Sequence, residues 1–68
     1  MTAVQGERMP GGFILITDID GIRYVVRQHA VAVIHDAAEC HDETLLQLHG
    51  GAVVRVPCTL SEVLAWFG

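Results

Sequence analysis

Residues 13–28 read FILITDIDGIRYVVRQ, and the parsing of this stretch decides the fold. Residues 13–17 are apolar and partly β-branched, while residues 22–28 alternate, with Arg23, Val25 and Arg27 on one side and Ile22, Tyr24 and Val26 on the other. Period-two alternation bounded by turn residues marks half-buried strands, so the two runs read as a hairpin. Asp20-Gly21 between them is expected to make a type I′ turn, whose positive φ angles these two residue types tolerate. A calcium loop is the competing reading of TDIDG, and it fails on ligand spacing. With Asp18 at position 1, position 5 is Ile22, position 12 is His29, and glycine falls at position 4 instead of 6.

Working outward, residues 1–12 are polar, end in Pro-Gly-Gly and lack periodicity; they read as a flexible leader, with 13–68 as one small β-rich domain. On the other side, AVAVIHD (30–36) is a third strand, and the polar AAECHDE after it reads as a hairpin connection. TLLQLH (44–49) and AVVRV (52–56) flank Gly50-Gly51, a dipeptide suited to a two-residue hairpin turn. Pro57 ends the last strand because it has no N–H for a ladder. Thr59 followed by Glu62 matches a capping box, and Leu60, Val63, Leu64 and Phe67 then recur at helical spacing. The expected fold is α+β and mainly β: an antiparallel five-stranded meander or small barrel-like sheet, followed by one short C-terminal helix.

A chain of 68 residues is in the range where folding buries only about 60% of the unfolded surface. Apolar residues make up 51% of it, enough for a compact core. The strands carry apolar residues on both faces, with Phe13 and Leu15 opposite Ile14 and Ile16, Val31 and Val33 opposite Ala32 and Ile34, and Val54 and Val56 opposite Val53. One short helix cannot cover a five-stranded sheet, so the second face calls for barrel closure or for a homo-oligomer, the expectation adopted here. Trp66 lies off the apolar helix face and is assigned to that interface, the alternative being a ring folded over the domain's own sheet edge.

Eight acidic residues oppose four arginines, with no lysine and a formal net charge of −4. Nucleic-acid binding draws most of its affinity from neutralised phosphates, so this balance disfavours it. No apolar run reaches the length of a membrane span and no signal-peptide pattern is present, which makes residence cytoplasmic without membrane insertion the expectation. Cys40 and Cys58 are too few and too far apart for a disulfide framework or a paired metal site, and read as thiols. His35, Cys40 and His41 are the nearest approach to metal-ligand spacing, but successive strand side chains face opposite ways; no metal or cofactor is expected. No nucleophile and base stand at a spacing that favours catalysis, and no glycine-rich phosphate loop appears. Arg23, Arg27 and Arg55 remain as candidate partner-binding residues for an acidic protein surface, together with Trp66.

The series ILITDIDGIRYVV, AVAVIHD, DETLLQLHGGAVVRV and TLSEVLAWF resembles the small flagellar FlbD-like (SwrD-type) proteins. The likeness runs through Ile16, Thr17, Asp20, Gly21, Thr44, Leu46, Leu48, Gly51, Val54, Val56, Glu62 and Val63, and covers nearly everything after Gly12. Small phage and mobile-element proteins share the same pattern of strands and turns. The resemblance implies a non-enzymatic accessory protein that acts by protein contacts. The function expected from the sequence is therefore an adaptor or modulator, a flagellar accessory or a phage-type inhibitor of a host complex. A β-rich DNA-binding regulator is the reading from another class.

Overall fold

A computed structural model of the chain describes residues 5–37, 39 and 41–67. Its strands are β1 (Gly6–Met9), β2 (Phe13–Thr17), β3 (Arg23–Arg27), β4 (Val31–Asp36), β5 (Thr44–Leu48) and β6 (Val53–Val56), followed by the helix α1 (Leu60–Leu64). They form two antiparallel three-stranded sheets, ordered β1-β2-β3 and β4-β5-β6. This replaces the expected five-stranded meander or single barrel. Two features account for the difference.

The first is β1. Gly-Glu-Arg-Met has no apolar alternation, yet it pairs with β2 from Gly6 opposite Ile16 to Met9 opposite Phe13, so part of the expected leader is an edge strand. Pro10-Gly11-Gly12 turns the chain, with φ of +82° at Gly11 and +81° at Gly12, angles that glycine adopts without steric cost. The second is the link between β3 and β4. Gln28–Ala30 forms a single 3-10 turn, not a hairpin, and hands the chain over to a new sheet. Residues 28–30 contain none of the glycine, asparagine or aspartate that a tight reversal needs.

The two sheets bury their inner rows in one core. Ile14 and Ile16 of β2 meet Leu46 of β5, Val54 and Val56 of β6, Cys58 and Val63, all of them buried. Each such aliphatic side chain contributes roughly 1.5–3 kcal/mol on burial. Register explains which residues turn inward. β4 slips by one residue against β5 between Val31 and Val33, so Val31 and Ile34 both pack on the core while Val33 is exposed. The bulge breaks the strict alternation expected for this strand. Sheet packed against sheet thus covers the inner row of each, while Phe13, Leu15, Val33 and Val53, on the second faces that motivated a homo-oligomer, stay outside the core.

The C-terminal segment closes the open end. The capping box is present: Thr59 Oγ1 accepts from Glu62 N–H at 3.2 Å and Glu62 Oε1 accepts from Thr59 N–H at 3.0 Å. Those bonds hold the Glu62 carboxyl below its ordinary value. Ala65 N–H still bonds to Ser61 O, and beyond it the bonds are of the i to i+3 kind, Trp66 N–H to Val63 O and Phe67 N–H to Leu64 O. Three residues per turn bring Trp66 onto the face of Val63 and leave Leu64 half exposed, the reverse of the order expected from uniform helical spacing. Gln28 then ties three segments together, donating from its backbone to Gly12 O (2.8 Å) and from Nε2 to Phe67 O (2.7 Å).

Trp66 lies directly on Gly6, where a Cβ would clash with the carbons of the indole ring. Gly6→Ala is therefore expected to cost about 1–3 kcal/mol through overpacking, with a red shift of Trp66 fluorescence as the ring is displaced. Chemical denaturation and emission spectra check both; an unchanged midpoint and spectrum would mean that the ring does not sit there.

Candidate functional site

The TDIDG stretch forms a structural loop. Gly21 N–H bonds to Asp18 O (3.0 Å) and Asp18 N–H to Ile22 O (2.9 Å), with Gly21 at φ +81° and no positive φ at Asp20. This is a three-residue loop built on a type I turn with glycine in the left-handed position, in place of the expected type I′ turn. The Asp18 carboxylate organises it: Oδ1 accepts from the backbone of Asp20 and Ile22, both at 2.9 Å, and Oδ2 accepts from the Tyr24 hydroxyl at 3.1 Å. That hydrogen bond is the main reason the Tyr24 phenol is raised above its ordinary value. The Gly50-Gly51 hairpin likewise has three loop residues, closed by Leu48 N–H to Ala52 O and Gly51 N–H to Leu48 O, with φ near +100° at both glycines.

Several side chains able to carry chemistry are occupied in holding the fold. His35 Nδ1 lies 2.8 Å from Asp36 O and Nε2 lies 3.0 Å from Gln47 Nε2, so a neutral ring protonated at Nδ1 satisfies both contacts. His41, in the left-handed region at φ 63°, pairs with Asp36 Oδ2 at 3.0 Å. Cys58 is buried, and burial first, the Glu62 carboxylate second, push its thiol pKa up. Thr44, also buried, donates to Cys58 O at 2.7 Å. Cys40, the middle member of the His35, Cys40 and His41 set, lies outside the described residues. Among the described residues no group of three His, Cys, Asp or Glu side chains could hold a metal ion, and no helix is long and apolar enough to cross a membrane.

The four candidate partner-binding residues separate. Arg23 and Arg27 lie on β3, on the outer face of the first sheet, without an ion pair among the described residues. Arg55 is on β6 in the other sheet and is engaged by Glu43, Nε to Oε1 at 2.6 Å, so it does not extend the β3 row. Trp66 is spent on Gly6 and the core, which is the edge-covering alternative weighed against an interface.

What gathers around Arg23 and Arg27 is an apolar strip. Register places Glu7, Leu15 and Val25 in one cross-strand row and Met9, Phe13 and Arg27 in the next, all facing outward. Val25 is 62% exposed and Met9 40% exposed, Leu15 and Phe13 are half buried, and the Arg27 guanidinium stands 5.0 Å from the Phe13 ring centroid. Sequence reading missed Met9 because its strand lacks a pattern; Pro10-Gly11-Gly12 directly ahead of a strand was the available hairpin signal. The outer face of the other sheet is more broken, since Gln47 separates Val33 from Val53 and the Arg55–Glu43 pair lies alongside. No protein-family model matches the chain, and no curated protein or solved structure matches it.

Asp18→Ala should destabilise the domain by about 1–2 kcal/mol, since two backbone donors lose their acceptor. Asp18→Asn, which keeps Oδ1, should lose markedly less. Urea denaturation of the pair is the check; equal losses would show that the carboxylate charge, not its acceptor geometry, stabilises the loop.

Proposed function

We propose that this chain is a non-enzymatic adaptor or modulator that acts by protein–protein contact through the outer face of its first sheet. The observation that carries the reading is the juxtaposition of exposed apolar side chains, Val25 and Met9 beside Phe13 and Leu15, with two arginines that have no acidic partner among the described residues. An exposed apolar strip rimmed by charge is the usual form of a protein contact surface. Arginine and aromatic side chains are also the types over-represented at such surfaces. The flagellar accessory and phage-type inhibitor readings are special cases of this one, distinguished only by the partner.

The acidic balance supports a protein partner over a nucleic acid. Four of the eight carboxylates, Asp36, Glu39, Asp42 and Glu43, fall within one short stretch of chain, well separated in sequence from Arg23 and Arg27. The positive charge of the β3 face is local, two guanidiniums wide, which is small beside the basic tracts that hold phosphate backbones.

Two measurements test the reading. A photo-reactive residue at position 25 should give a discrete adduct with one protein species in cells expressing the chain, whereas the same residue at position 53 on the other sheet should not. With the photo-reactive residue placed at position 9 instead, Val25→Asp should abolish the adduct without lowering the melting temperature by more than about 2 °C, because surface changes alter stability little. Equal adducts from both sheets, or a salt-sensitive complex with random-sequence DNA, would contradict it.

A further inference from the structure

Building on the proposed contact function, we infer that β3 itself is a docking edge, which takes an extended segment of another protein as an added antiparallel strand carrying an acidic–x–apolar–x–acidic pattern.

The parity of the ladder gives the first part. Asp18 N–H to Ile22 O and Gln28 N–H to Gly12 O lie on the same register as the β2–β3 pairing. Bonded and non-bonded pairs alternate in an antiparallel ladder, so the bonded pairs between them are Ile14 with Val26 and Ile16 with Tyr24. The N–H and C=O groups of Arg23 and Val25 consequently point away from β2, and they have no backbone partner among the described residues.

Comparison of the edges gives the second. Unpaired sheet edges are templates for pairing, and folded proteins block them. On β6 the outward carbonyl of Arg55 accepts from Ile19 N–H at 3.0 Å. On β1 the outward position Gly6 is buried beneath Trp66. β4 is bulged and has α1 alongside. Among the described residues β3 has regular pairing to β2, no bulge and no covering element, and Val25 is the most exposed of the large apolar side chains.

Charge then selects the occupant. A second copy added antiparallel about Val25 would place Arg23 opposite Arg27 twice, and like charges directly opposed are destabilising. A segment with a carboxylate opposite each arginine and an apolar residue opposite Val25 turns both pairings favourable. The pattern reads the same in either chain direction, and the new backbone bonds would fall at Arg23 and Val25, in the mode of strand addition to an open edge.

The test titrates the isotopically labelled full chain with a synthetic peptide in which Glu, Val and Glu alternate with threonine, following backbone amide shifts. The expected result is saturable shifts centred on the Arg23 and Val25 amides, weakened about tenfold or more by the double charge reversal R23E/R27E. N-methylation of the peptide valine, which removes its donor to Val25 O, should abolish them, as should replacement of both glutamates by lysine. Val25→Pro deletes an outward N–H without breaking the β2 ladder and should have the same effect; the N-methyl peptide keeps the test valid if that variant fails to fold. Binding that survives N-methylation and shifts Leu15 and Phe13 instead would overturn strand addition while leaving the face-contact function standing. Absence of binding, equal binding of the lysine peptide, or self-association of the chain through β3 would each overturn the inference.

Discussion

Everything in this fold depends on two rows of branched side chains being buried against one another: Ile14 and Ile16 from β2, and Leu46, Val54 and Val56 from β5 and β6. An isolated two-stranded hairpin is marginal at best, and an apolar sheet face needs a cover. Packing the sheets face to face gives each the other as its cover. The alternation of each strand then fixes what remains outside, so the outward row on β3 is a direct consequence of Ile14 and Ile16 pointing in.

The polar groups complete this arrangement. Asp18 holds one hairpin by accepting from two amides and from Tyr24, and the tip of that hairpin reaches the other sheet through Ile19 N–H and Arg55 O. Gln28, at the handover between sheets, bonds to Gly12 on one side and Phe67 on the other. Arg55 pairs with Glu43 within its own sheet. Among the described residues Arg23 has no such role, and the guanidinium of Arg27 reaches only the Phe13 ring. That contrast between arginines used by the fold and arginines left to solvent is what directs a functional reading to β3.

Much of this was legible in the residues. FILIT and the RYVVR strand appear where alternation placed them, as do the three later strands, and the Thr59–Glu62 capping box forms as its spacing indicates. Each rests on a local rule of side-chain period or end-capping. What was not legible depends on contacts distant in sequence. β1 is a strand because β2 offers it an edge and Trp66 a lid, neither visible in Gly-Glu-Arg-Met. The slip at Ala32 was equally hidden, since it exists to bring both Val31 and Ile34 onto the core. The pairing of Arg23 with Arg27 on one face came from strand period, but its isolation from Arg55 required knowing that β3 and β6 belong to different sheets.

The most direct measurement is native-state hydrogen exchange along β3 in the free protein. An open edge predicts alternation: the Tyr24 and Val26 amides, bonded to β2, exchange slowly, and the Arg23 and Val25 amides exchange at nearly the unprotected rate. Uniform protection of all four would mean that something already covers this edge, and would contradict the account.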